Sequence, residues 1–475
     1  MTAPIGVRVG VYAEAHTRAR PSALPVLDRR RSGVLLHPTA LQDGALGGGG
    51  RAFVDWLQAA GVGVWQVLPL GPVGADRSPY WVRSDQAGNP ALIDLRDAPD
   101  PIALASEYAA FCHAERDWLE DYVLFETLSR EHAAAPWWTW PIGLRDRQPQ
   151  ALAQARSRSR SDLEARRVEQ WRFDFQWSAL RTYAHQRWIR LYGDLPIYLA
   201  PDSVATWTQR HQFQLQADGQ PALRAGVPPD YFAVDGQLWG NPVYDWDQAR
   251  RDGFAFWLAR LGNQLKRFDL VRIDHFRGLA GYWAVPAGAV TAREGRWLPA
   301  PGMELFTALT AAFGSLPVVA EDLGVITPDV VELRRAFGLP GMRVMQFGFD
   351  GSPDNPHVPY HYASDTVAYS GTHDNDTSLG WYRTLDQATR QRVDTMLGTT
   401  MWPMPLALVR ATLASVAPLA MVPIQDVLAL GSEARFNVPG TVGGNWIWRL
   451  PEGALSAECA AQYRALNEMF GRLSQ

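Results

Sequence analysis

The chain has 475 residues, a formal net charge of −4 and 47% hydrophobic residues. That balance excludes a generally disordered chain, which combines low hydrophobicity with high charge. It also gives no reason to expect a nucleic acid or an anionic membrane surface as partner.

Cys112 and Cys459 are the only cysteines; so few in a chain of this size fits a reducing compartment. The N-terminus shows no charged stretch followed by an apolar one, so no secretory signal is expected. The apolar stretch at 404–424 is broken by Arg410 and by prolines and is too interrupted to span a membrane. The expected location is therefore the cytoplasm. Twenty tryptophans are present. Most serve as core filler, and the rest are available as platforms for ligands with apolar faces, as sugars have.

In chain order, eight segments read as short strands: 33–37, 64–70, 195–199, 270–274, 317–321, 342–347, 366–370 and 421–425. Several are continuous apolar runs, the pattern of strands buried on both faces. Helix-like stretches at 51–60, 254–267 and 328–337 fall between them. Strand and helix alternating eight times predict an α/β fold, a (β/α)8 TIM barrel. Two connections exceed what a barrel needs, so the expectation is a single catalytic barrel over 1–475 with large insertions after strands 2 and 3. Residues 71–190 read as a mostly helical insertion and 200–251 as a loop-rich one over the cleft; long ordered loops of that kind usually serve function. The run Gly47–Gly50 reads as a flexible loop, lacking the Lys-Ser/Thr and the strand-to-helix setting of a phosphate cradle. No internal repeat is visible.

Three polar cassettes break out of these apolar runs: Leu270-Val-Arg-Ile-Asp-His275, Val318-Val-Ala-Glu-Asp322 and Gly371-Thr-His-Asp-Asn-Asp376. Each places a carboxylate (Asp274, Glu321, Asp374) at the C-terminal end of a predicted strand, where such barrels keep their chemistry. Two carboxylates about 5–5.5 Å apart are the parts of a retaining glycosidic reaction, one as nucleophile and one as acid and base. Arg272, two residues before Asp274, projects to the same side of its strand and would keep that aspartate ionised. Burial and neighbouring carboxylates would hold a proton on Glu321 near neutral pH. His275 and His373 are placed to hydrogen-bond sugar hydroxyls. Each short motif is weak alone, and together they gain weight from their order and position. A metal site is the rival reading, since Asp and His at barrel strand ends also build hydrolytic centres. No His-x-His or His-Glu-x-x-His pattern accompanies them.

The chain closely resembles the amylomaltases, the 4-α-glucanotransferases related to the α-amylase clan. The motifs that carry the resemblance include Arg31-Ser-Gly-Val-Leu-Leu-His-Pro38, Ser78-Pro-Tyr80, Gly226-Val-Pro-Pro-Asp-Tyr-Phe232, Gln237-Leu-Trp-Gly-Asn-Pro242, the three cassettes, Gly431-Ser-Glu-Ala-Arg435 and Gly444-Asn-Trp446. The resemblance implies Asp274 as nucleophile, Glu321 as general acid and base, and Asp374 as the carboxylate that grips the distorted sugar. It implies Arg272, His373 and Tyr80 as supports around that sugar, Asp230 on a loop arching over the cleft, and Trp239 as a wall near the acceptor. It further implies α-1,4-glucans and glucose as substrates, and neither metal nor organic cofactor. A hydrolase or phosphorylase of the same clan, and a glucan-binding protein without activity, are the alternatives. The chain departs from the family pattern at Trp81–Gln86, where a Gln and a Ser/Phe-rich stretch are expected, at Leu298–Pro301, and at Phe436 in place of Met. These changes spare the three carboxylates and bear on donor and acceptor preference.

Overall fold

The computed structural model describes residues 26–42, 45–229, 234–441 and 443–474. The N-terminal segment in which a signal was looked for, and Asp230, lie outside the described residues. Eight parallel strands form one sheet: β1 (Arg31–Leu35), β2 (Val64–Gln66), β3 (Arg190–Leu195), β6 (Leu270–Ile273), β9 (Val318–Ala320), β10 (Gly341–Val344), β11 (Thr366–Tyr369) and β12 (Leu419–Pro423). Each lies beside its predecessor in this series, and β12 returns to pair with β1, Arg31 opposite Leu419. The seam between β9 and β10 is closed by a single main-chain bond, Ala320 N–H to Pro340 O at 2.9 Å, and by Asp322, whose Oδ1 accepts from Met342 N–H at 2.7 Å. The expected barrel is thus present, nearly closed.

The third strand corrects the sequence reading. It spans Arg190–Leu195, not 195–199. The apolar run after Leu195 begins with Pro196, which has no N–H for a ladder. Only four residues stand between the helix Arg160–His185 and the true strand, so little in the sequence separates them.

Period-two alternation sorts each strand. Leu270, Tyr192, Val319, Tyr369 and Met421 pack together in the lumen, while Val271, Ile273, Leu191 and Ala320 face the surrounding helices. Gly33 is needed there: a Cβ on it would come within 2.2 Å of Met421 Sδ. Continuing the lumen row upward along β3 gives Asp194; along β6 it gives Arg272 and then Asp274, and along β9 Glu321. Backbone geometry delivers all four to the same open end.

Between β2 and β3 lie five helices from Ala105 to His185, whose separate core includes Phe111, Phe125, Trp137, Trp140 and Trp171 and is joined by Trp207 from beyond β3. Between β3 and β6 the chain forms β4 (Leu223–Val227) and β5 (Gln237–Pro242). These join β7 (Gly281–Pro286) and β8 (Arg296–Pro299) in a four-stranded antiparallel sheet of order β5-β4-β7-β8. Both pairs arise from connections at the C-terminal ends of barrel strands, so this second sheet stands at the same end as the carboxylates. Among the described residues no helix is long and apolar enough to cross a membrane.

Candidate active site

Arg272 organises the floor of the mouth. Its side chain is 6% exposed; Nη2 donates to Asp274 Oδ1 at 2.6 Å and Nη1 to the fully buried Asp194. Tyr80 O–H donates to the same Asp194 oxygen at 2.7 Å and accepts from Arg272 Nη1 at 3.2 Å. One guanidinium thus serves two carboxylates and a phenol, a geometry open to its planar fork of donors. Burial lifts Asp194 to about 6 against the pull of Arg272, and burial with the charge of Asp194 pushes the Tyr80 phenol well above its ordinary value.

Glu321 sits one strand away. Ile273 pairs with Ala320, so Asp274 and Glu321 are the next residues of adjacent parallel strands, whose axes run about 4.8 Å apart. Both Glu321 oxygens accept main-chain bonds, Oε2 from His275 N–H at 2.7 Å and Oε1 from Leu323 N–H at 2.9 Å. Burial is the largest influence on this carboxyl; the Asp274 charge adds to it, Arg272 opposes it, and the result is a carboxyl pushed up to about 7. Two neighbouring carboxylates therefore have different settings: one bound to an arginine, the other close to half-protonated at neutral pH.

Asp374 comes from the loop after β11. Asn437 Nδ2 donates to its Oδ1 at 2.6 Å, Arg435 Nη2 to its carbonyl at 2.7 Å, and His373 Nε2 lies 3.3 Å from Oδ2. Its side chain is 46% exposed, open to the cleft. The cassette is anchored from below by buried Asp426, which accepts from Ser370 Oγ (2.7 Å) at one end and from Ser378 N–H (2.7 Å) and Oγ (2.6 Å) at the other. Tyr80 joins the two halves: its ring stacks on His373 with centroids 5.1 Å apart, while its hydroxyl reaches Asp194 and Arg272. Burial lowers His373, and it lowers His275 to about 4, so both rings are neutral donors and acceptors at pH 7.

Two aromatic walls border the carboxylates. Trp446 packs on Tyr80 and on His373, both at 6.1 Å, and on Phe436 at 5.5 Å. On the other side Trp239, on β5, meets His275 edge-on at 4.7 Å. The structure thus brings Asp274, Glu321, Asp374, Tyr80, Arg272, His275, His373 and Trp239 to one mouth. Asp194, Asn437 and Trp446 are additional members of this constellation, and none is singled out by residue type and spacing. Asp194 stands just before 195–199, the run expected as the third strand; Asn437 and Trp446 stand in a late, loop-like stretch. Asp194 and Trp446 fall in two motifs of the family resemblance, Gly193-Asp-Leu-Pro-Ile-Tyr198 and Gly444-Asn-Trp446, which were the available signals. Among the described residues no group of three His, Cys, Asp or Glu side chains is arranged to hold a metal ion.

A parallel barrel with an arginine-bound aspartate beside a raised glutamate is the arrangement of an enzyme that works on glycosidic bonds with retention. The sequence profile of the 4-alpha-glucanotransferase family matches residues 36–105 and 100–456. The chain is 45% identical to a 4-alpha-glucanotransferase of Thermus thermophilus and 41% identical to one of Synechocystis, covering 94% of this chain and 99% of the relative in both cases. An amylomaltase from Streptococcus agalactiae, solved in complex with acarbose, superposes with a TM-score of 0.89 at 32% identity, over 94% of this chain and 100% of that one. The chain belongs to the 4-alpha-glucanotransferase family.

Proposed function

We propose that this chain is a disproportionating 4-alpha-glucanotransferase working by double displacement. It would move an α-1,4-glucan segment from a maltooligosaccharide, or from a starch- or glycogen-derived dextrin, to the 4-hydroxyl of a second glucan or of glucose. The observation that carries the residue roles is the pairing of Asp274 and Glu321 at adjacent strand tips, with Arg272 on the first and a proton held near neutrality by the second.

Asp274 attacks the anomeric carbon of the bound glucose unit while Glu321 gives its proton to the departing glycosidic oxygen. The products are a β-glycosyl ester on Asp274 and a released segment with a free 4-hydroxyl. Glu321, now ionised, takes the proton from the 4-hydroxyl of an acceptor. The acceptor oxygen attacks the same carbon, and the Asp274 carboxylate leaves. Two inversions restore the α configuration. Asp374, fixed by Asn437, grips hydroxyls of the distorted sugar, and Tyr80 and His373 line the same unit. Trp239 borders the acceptor: it packs on His275, whose main chain holds Glu321, and the acid must touch the oxygen joining donor to acceptor. An aromatic wall there favours sugar over water as acceptor by orienting one and excluding the other.

The same reading takes 71–190 and 200–251 as walls of the mouth and needs no metal or organic cofactor. It places the enzyme in the cytoplasm, in keeping with two free thiols, Cys112 and Cys459.

Incubation of the purified protein with maltotriose tests it. Free glucose with a ladder of longer oligomers on thin-layer chromatography is the expected result. Glucose and maltose without longer products would make it a hydrolase, and unchanged maltotriose would leave a binding protein.

A further inference from the structure

Trp81 follows Tyr80 in the chain yet makes none of its contacts. Its backbone is fixed on both sides. Trp81 N–H donates to Ser78 O at 3.2 Å, Val82 is buried and bridges to Val73, and Arg83 N–H donates to Pro72 O at 2.9 Å. The side chain leaves this rigid turn and crosses to the second sheet. Its Cη2 stands 3.5 Å from the point a Cβ would occupy on Gly240 of β5, the residue after Trp239. Gly240 has φ +84, in the left-handed region, so the close approach falls where the backbone itself favours glycine.

The indole is partly exposed, and no aromatic ring or cation among the described residues covers either of its faces. Its Nε1–H has no protein acceptor among the described residues, whereas that of Trp239 is satisfied by Gln237 Oε1 at 3.0 Å. The other aromatic rings of the mouth are already engaged: Tyr80 by His373 and Trp446, and Trp239 by His275. A flat apolar ring with open faces and a free donor at its edge is the equipment of a sugar platform. Its backbone is held in advance, which lowers the ordering cost that a fully flexible contact incurs on binding.

We infer that Trp81 is a specificity-determining residue, a stacking platform on the acceptor side that selects acceptors longer than glucose. The assignment rests on the transferase reading above. Trp239, through His275 and Glu321, borders the first acceptor unit. The Trp81 ring approaches Gly240, the next residue of the same strand, and stacks on none of the rings around the reacting sugar, so on this reading it meets the next unit along. Single glucose gains little from it, and maltose and maltotriose gain a second contact.

The test uses the full chain with α-maltotriosyl fluoride as donor. It compares kcat/KM for maltotriose and for glucose as acceptors in wild type, Trp81→Ala, Trp81→Gln and Trp81→Phe. The ratio of the two cancels any general loss of activity from altered folding. The ratio is expected to fall at least fivefold in the Ala and Gln variants and to stay within twofold of wild type in the Phe variant, which keeps a ring. Wild-type transfer with an unchanged ratio in the Ala and Gln variants overturns the inference alone. So does a changed preference for donor length with the acceptor ratio intact, since the ring would then serve the other side. Hydrolysis without transfer in the wild type overturns the functional reading and the inference together.

Discussion

The main-chain N–H of His275 donates to the side chain of Glu321 at 2.7 Å, and Glu321 O accepts from Phe276 N–H at 3.1 Å. The residue immediately after Asp274 therefore holds the Glu321 carboxyl, the partner proposed to act opposite that aspartate. His275 can turn its amide that way because its backbone is left-handed, with φ +47. The Glu321 carboxyl is thus tied to the backbone of the strand end that carries Asp274, whose own carboxylate is held by Arg272.

Asp274→Ala is expected to lower kcat by at least about 10⁴-fold, and Glu321→Gln by about 10²–10⁴-fold on natural glucans. With α-maltotriosyl fluoride, which needs no proton to leave, Glu321→Gln should accumulate a glycosyl ester. Mass spectrometry of a digest is expected to find the added mass on the peptide containing Asp274. Label on the Asp374 peptide would reassign the nucleophile.

The raised Glu321 has a signed consequence for pH. The free enzyme needs the protonated acid, so kcat/KM should decline above an apparent pKa near 7. Stability follows the same group. Its folded pKa lies above the unfolded 4.5, so its contribution is fully present below about pH 4.5 and is lost as pH rises through 7. Glu321→Gln cannot ionise, so its stability relative to wild type should rise between pH 4.5 and pH 8 by on the order of 1–3 kcal/mol, on top of a pH-independent loss because its amide NH2 must face one of the two main-chain N–H donors. Melting curves at the two pH values decide it; equal shifts at both would detach the stability change from ionisation.

Asp194→Asn should cut kcat by about 10–100-fold, equivalent to about 1.4 kcal/mol per tenfold, although Asp194 is placed behind Arg272 and Tyr80 and not against the sugar. Removing its negative charge leaves Arg272 less neutralised, and the extra positive field favours ionised Glu321. The alkaline limb of kcat/KM should move to lower pH. A loss of rate with an unmoved limb would reduce Asp194 to a packing role.

Asn437→Ala removes the donor to Asp374 Oδ1. The carboxylate keeps its backbone anchor from Arg435 but can swing. The expected result is a roughly tenfold fall in kcat/KM, about 1–2 kcal/mol for a charge-assisted bond, with most of it in kcat if Asp374 acts on the distorted sugar. Initial rates over a range of maltotriose concentrations separate the two parameters.

Much of this was legible in the residues because buried parallel strands leave apolar runs, and chemistry at their ends leaves polar tips. Asp274, Glu321 and Asp374 each broke such a run, and Arg272 fell on the correct face by counting two. What escaped depended on distance in the chain. Asp194 was hidden because β3 begins almost directly after a helix and ends in Asp-Leu-Pro, so that an apolar stretch beyond Pro196 looked more strand-like than the strand. The antiparallel sheet was missed because β5 and β7 pair through β4, across residues separated by more than forty positions, with little alternation to announce it. Asn437 and Trp446 lie in loops, and their partners Asp374, Tyr80 and His373 are named only by the folded chain.

The late position of those two loop residues also matters during synthesis. Asp274, Glu321 and Asp374 are all polymerised before β12, the strand that pairs with β1, and before Asn437 and Trp446. A polypeptide that stops short of Asn437 therefore carries all three carboxylates and still lacks the side chain that holds Asp374 in place.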